Sequence, residues 1–123
     1  MIQVGTNLKV CDNTGAKLAR CFRILGGTKH RYASIGDIIV ASVKEAEPRR
    51  AVKKGEIVRA VVIRQKFPFR LPSGIYLRFD DNAVTILDGK TKNPKGNRIT
   101  GPAPQFLKEK GFEKIIGMAN VVV

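Results

Sequence analysis

The sequence has 123 residues, 43% of them apolar and 27% charged, enough for one hydrophobic core without disulfide staples. Its 23 Lys and Arg stand against 10 Asp and Glu, a formal charge of +13, and a chain that basic is expected beside a polyanion. Nucleic acid fits better than an anionic membrane, because no apolar run approaches the roughly 20 residues of a spanning helix and no long basic amphipathic helix occurs.

The first residues, Met1-Ile2-Gln3-Val4-Gly5, have neither a signal-peptide core nor transit-peptide character. The protein is therefore expected to act where it is made, or after a targeting segment has been removed. Short Val- and Ile-rich runs then alternate with polar loops carrying Gly or Pro. Strands are expected over residues 8–11, 18–25, 37–46, 57–66, 75–79 and 83–88. Between the first two, Asp12-Asn13-Thr14-Gly15 offers Asx-type hydrogen bonding and a glycine for positive φ. Gly26-Gly27, Lys54-Gly55 and Ser73-Gly74 punctuate later connections.

The third expected strand sets Ile39, Ala41 and Val43 on one face and Ile38 and Val40 on the other. In the fourth, Ile57, Val61 and Ile63 alternate with Val58, Ala60, Val62 and Arg64. Both strands are apolar on two faces, so both are expected to be central. Closely spaced strands with short loops predict a mainly β fold, an antiparallel barrel that removes the exposed sheet edge. Cys11 and Cys21 form no Cys-x-x-Cys pair, and the lone His30 cannot complete a zinc site with them. They are expected to be reduced thiols, with Cys21 buried and inert on the face it shares with Ala19. No metal or cofactor is implied.

The composition changes after residue 88. Residues 89–104 are rich in Gly, Pro, Asn and Lys and predict a long ordered loop. A short helix is expected over residues 105–110, with Pro104 at its start and Gly111 as its stop, and a further helical turn over residues 112–116. Phe106, Leu107, Phe112, Ile115 and Ile116 supply apolar surface to dock this tail on the barrel. Residues 119–123 carry no assignable pattern. The expected organisation is one domain: barrel over residues 1–88, basic loop over 89–104, helical tail over 105–118.

Catalytic chemistry finds little support. Any Ser-His-Asp or Cys-His arrangement would have to use His30, which lies between Lys29 and Arg31. Asp80 and Asp81 are consecutive, and on a strand they would point to opposite faces. Gly89-Lys90-Thr91 resembles the end of a phosphate-binding loop but lacks the upstream glycine and a following helix. The cations are better organised. They cluster in residues 29–31, 49–54, 64–70 and 90–98, and these four segments contain no acidic residue. A merely solvated surface interleaves both signs, so phosphate contact is the better reading. Lys29, Arg31, Arg49, Lys53, Lys54, Arg64, Lys66, Arg70 and Arg98 are the candidate contacts. Tyr32, Phe67 and Phe69 sit among these cations. Tyr32 is a candidate for stacking on an unpaired base, and the two Phe residues either stack likewise or pack against a neighbouring protein. Phe67 and Phe69 are expected at a hairpin tip between Lys66 and Arg70, stiffened by Pro68 and Pro72.

Ala60-Val61-Val62-Ile63, nine residues, Ser73-Gly74, then Phe79, Asn82, Thr85 and Ile86 resembles the signature of the universal large-subunit ribosomal protein fourteen family. Asp12-Asn13-Thr14-Gly15-Ala16, Leu25-Gly26-Gly27, Arg31-Tyr32-Ala33, Ile35-Gly36-Asp37, Lys44-Glu45-Ala46, Arg78-Phe79-Asp80 and residues 96–102 extend the resemblance over essentially the whole chain. It implies a five-stranded β-barrel with a small C-terminal helical segment, and a structural role in the large ribosomal subunit. The implied partners are large-subunit rRNA, ribosomal proteins three and nineteen, small-subunit rRNA at inter-subunit bridges, and in many lineages a ribosome-silencing factor. The resemblance adds Asn13, Arg78 and Asn82 to the RNA-binding set, and Arg98 and Lys114 to the partner-binding set. The sequence departs from the family at Phe67-Pro68-Phe69-Arg70-Leu71-Pro72, where Lys, Arg and Gly are usual, and it has Asn97 and Thr100 at the family's Gly-Thr-Arg corner. That divergence leaves a bacterial cytoplasm and an organelle matrix both open. The runner-up is a free-standing barrel of the OB or cold-shock kind, which reads bases with aromatic strands; 7% aromatics and no Trp argue against it.

Overall fold

The computed structural model describes residues 2–26 and 31–123. Five strands close into a barrel in the order β1 (Asn7–Val10), β2 (Ala16–Ile24), β3 (Ile38–Ala46), β4 (Ile57–Arg64) and β7 (Ala83–Ile86). The first four pairings are antiparallel, but the seam that closes the barrel, β7 against β1, is parallel. The expected antiparallel barrel is thus found, with a parallel pairing only where it closes. With an odd number of strands running alternately up and down, the last and the first must run the same way.

The barrel is narrow, and its contents suit it. Leu8, Val10, Ala19, Cys21, Ile39, Ala41, Val43, Val58, Ala60, Val62, Val84 and Ile86 form the buried interior, with alanines beside larger side chains. Ile2 and Ala33, joined by paired backbone hydrogen bonds, belong to the same cluster, as does Val52 in the β3–β4 loop. A second core lies on the outside of the barrel wall. Val61, Ile63, Ala83, Leu87 and Cys11 face outward there and are covered by Ile99, Leu107, Phe112 and Ile115. This explains the two apolar faces of β4: one row fills the barrel and the other lies under the C-terminal tail. Each fully buried Leu, Ile or Phe of the tail contributes about 1.5–3 kcal/mol.

The tail differs from its expected form. Short helices α1 (Phe106–Glu109) and α2 (Glu113–Met118) occupy the expected positions, and Gly111 between them takes φ +90°. The expected long loop, however, ends in a strand. β8 (Ile99–Ala103) pairs in parallel with β9 (Ala119–Val122), in the region that carried no assignable pattern. The strand expected over residues 75–79 is only β6 (Tyr76–Leu77). It lies outside the barrel, in a hairpin with β5 (Phe69–Arg70).

Candidate nucleic-acid interface

One end of the barrel is organised by Asp12-Asn13-Thr14-Gly15. Asp12 Oδ1 accepts from the Thr14 amide at 3.2 Å and from the Thr14 hydroxyl at 2.6 Å, the Asx turn expected from the sequence. Its Oδ2 accepts from the Ile86 amide at 2.8 Å, which ties the turn to β7. Burial pushes the Asp12 carboxyl above its ordinary pKa, against the pull of these hydrogen bonds. Gly15 has φ +101°, and a β-carbon there would lie 2.2 Å from Arg50 Cβ. The β3–β4 loop therefore lies directly on this turn. The Val52 amide donates to Thr14 O at 3.2 Å, and Arg50 Nη2 donates to Asn13 O at 3.4 Å. Val52 is buried while Arg49, Arg50, Lys53 and Lys54 stay exposed. Arg49 is the one described non-glycine residue with positive φ, at 62°.

Asn13 carries the second basic loop to the same place. Its Oδ1 accepts from the amides of Asn97 at 2.9 Å and Arg98 at 3.3 Å, and its Nδ2 donates to Asn97 Oδ1. Gly96 allows the close approach, since a β-carbon there would lie 2.6 Å from Asn13 Oδ1. The Asn13 carboxamide is thus engaged within its own chain, where it positions the exposed Arg98. Lys90 and Lys95 are exposed in the same loop, whereas Lys92 Nζ donates to Lys110 O at 3.0 Å and lies 5.3 Å from the Phe112 ring centre.

The other end of the barrel gathers Arg31, Tyr32, Lys66, Phe67, Arg70 and Arg78, all exposed. Lys29 and His30 lie outside the described residues. Asn82 Oδ1 accepts from the Lys66 amide at 2.8 Å, so that atom holds the β4 exit rather than facing outward. Lys114 is exposed on α2.

Three expectations at this end are corrected. Arg64 is only 4% exposed and is no surface cation. Its Nη1 donates to Thr100 O at 3.1 Å and Pro102 O at 3.4 Å. Its Nε lies 3.0 Å from Asp81 Oδ1, an ion pair without the alignment of a hydrogen bond. Phe69 folds back on its own chain, its ring 5.0 Å from that of Phe106 and tilted by 57°. Finally, the hairpin tip is not at Phe67 and Phe69. The turn follows Arg70, where Leu71 pairs with Ile75 and the Gly74 amide donates to Leu71 O. Phe67 precedes the hairpin and is 49% exposed. Arg20, Phe22, Arg23 and Lys44 are also exposed, on β2 and β3. Strand alternation accounts for the exposure of Arg20, Phe22 and Lys44, whereas Arg23 turns outward at the register shift that follows Cys21.

The two ends together give a closed barrel with exposed cations at both, whose loops are held by hydrogen bonds within the chain. The ribosomal protein L14p/L23e family model matches residues 1–123, the whole length. The chain belongs to this family of ribosomal proteins, and is a structural, rRNA-binding constituent of the ribosome.

Proposed function

We propose that the protein helps assemble and stabilise the large ribosomal subunit by neutralising rRNA phosphates at both ends of its barrel. The observation that carries this reading is the exposure of Arg49, Lys53, Lys54 and Arg98 at one end and Arg31, Lys66, Arg70 and Arg78 at the other, while the ion pairs seen among the described residues engage Lys9, Arg50 and Arg64 instead. Lys29 extends the second group in sequence. Contacts to the sugar–phosphate backbone fix position and register rather than read bases. The chain then acts as one unit at the inter-subunit face, bridging to small-subunit rRNA beside ribosomal proteins three and nineteen. Phe67, together with Arg98 and Lys114, serves neighbouring components, and the last two would meet a ribosome-silencing factor where one is present. The ribosome is that of a bacterial cytoplasm or an organelle matrix.

Sedimentation tests this reading. Tagged protein in a high-magnesium lysate is expected to co-migrate with large subunits and to be absent from free small subunits. A tagged protein that stays at the top of the gradient, folded by circular dichroism, contradicts it.

A further inference from the structure

Beside the start of the hairpin lies a recess of about 280 Å³, lined by Tyr32, Ser34, Gln65, Phe67, Pro68 and Arg70 among others. It combines three features. Tyr32 and Phe67 are 48% and 49% exposed, so each ring leaves part of its surface to solvent. Arg70 supplies a cation, and no acidic residue lines the recess. Ser34 is already engaged, its amide and hydroxyl both on Asp37 Oδ2 at 2.9 and 3.3 Å.

The third feature is an orphan acceptor. Gln65 is 1% exposed. Its Nε2 donates to Phe67 O at 2.9 Å, which fixes the carboxamide's donor end, while its buried Oε1 has no hydrogen-bond partner among the described residues. A buried acceptor without a donor is costly, so this atom calls for a donor from outside the described residues, whether water or a bound partner that displaces it. A partner entering this recess must offer a donor, a flat apolar face and a negative charge near Arg70. A nucleotide has all three: an amino or imino donor on the base edge, a π-face for the rings, and a phosphate.

We propose that this recess takes one unpaired nucleobase of the rRNA, stacked on Phe67 or Tyr32, with its edge donating to Gln65 Oε1 and its phosphate beside Arg70. The inference rests on the rRNA-binding reading above and adds a base-specific subsite to it. An apolar side chain from a neighbouring protein would fill the rings but leave both Gln65 Oε1 and Arg70 unanswered, so the nucleotide is the better occupant.

The test uses the full chain and short single-stranded RNA containing one 2-aminopurine, whose fluorescence falls on stacking. The wild-type protein is expected to quench the probe. Phe67→Leu, an exposed substitution that keeps an apolar side chain, is expected to weaken binding about ten-fold and abolish most of the quenching. It should leave the salt dependence unchanged, because stacking releases no counterions. Arg70→Ala should instead lower the salt slope by about one while retaining quenching. An RNA with an abasic site in place of the probe base should bind Phe67→Leu and wild type alike. Equal quenching by wild type and by both Phe67→Leu and Tyr32→Leu overturns the inference, as does a recess filled by another protein in the assembled subunit. Co-migration with large subunits distinguishes the two levels: a protein that co-migrates but never quenches loses only the base subsite, and one that does neither loses the ribosomal reading as well.

Discussion

Arg49 bears an exposed charge on a strained backbone. A left-handed conformation costs a non-glycine residue roughly 1–2 kcal/mol, and Arg49 holds it at an exposed position. Strain of this kind concentrates where a side chain must be held in one direction for a partner. Arg49→Gly is accordingly expected to leave the unfolding midpoint unchanged or raise stability by up to about 1 kcal/mol, while binding to rRNA weakens. A loss of stability alongside intact binding would mean that Arg49 is structural. The cysteines show the opposite case, chemistry suppressed by location. Cys11, 2% exposed, has its thiol pushed up to about 11 by burial, and burial raises Cys21 likewise. Both are free thiols in separate cores. Neither is expected to react with a maleimide at pH 7 until the protein is unfolded; rapid labelling of the native protein at either position contradicts the packing described. Burial of Cys21 was legible from its alternation with Ala19. Burial of Arg64 was not, because a cation among other cations looks the same in sequence whether it faces solvent or an internal carboxylate. The same applies to Phe69, whose partner Phe106 lies far along the chain.

At the scale of elements, one arginine and one glycine add a polar clasp to the apolar join between barrel and tail. Arg64 ends β4, pairs with Asp81 before β7, and donates to two carbonyls of β8 where the β8–β9 register shifts between Ile99 and Pro102. Its guanidinium fits only because Gly101 has no side chain: a β-carbon there would lie 2.1 Å from Nη1, at a φ of +84°. Arg64→Met leaves those carbonyls without their donor and is expected to cost about 1–3 kcal/mol. Gly101→Ala should destabilise through both the collision and the backbone conformation. Urea midpoints measure both effects, and full stability in Gly101→Ala would show that the guanidinium does not occupy this position. The barrel strands were legible because hydrophobic period and turn chemistry agreed there. β8 was hidden because Thr100-Gly101-Pro102 carries the marks of a turn, and its parallel partner is distant in sequence. A signal for β9 did exist in the β-branched run Val121-Val122-Val123. The parallel seam follows from closing five strands and cannot be read from any one of them.

For the whole molecule, the charge has a layout that the sequence order conceals. Segments 49–54 and 90–98 meet on the Asp12–Gly15 turn, while Arg31, Lys66 and Arg70 gather at the opposite end. The eight residues of β4 that join the two ends span roughly 26 Å at about 3.3 Å per residue. On the proposed function each end meets a different stretch of RNA backbone, so their contributions to binding should add. The loops were legible as cationic; their pairing into two ends was not, because it depends on strand order and on the Asn13 hydrogen bonds. The direct measurement is the salt dependence of free-protein binding to large-subunit rRNA. If roughly six to ten phosphates are neutralised, affinity should fall by ~10³ to 10⁵ between about 50 and 200 mM salt. Arg49→Ala, Lys53→Ala, Lys54→Ala and Arg98→Ala should each lower the slope by about one, and so should Arg70→Ala at the far end. Arg64→Met, which removes the same charge from the interior, should leave the slope where it was. A slope that none of the exposed substitutions changes, or one that Arg64→Met changes as much as they do, would contradict the account.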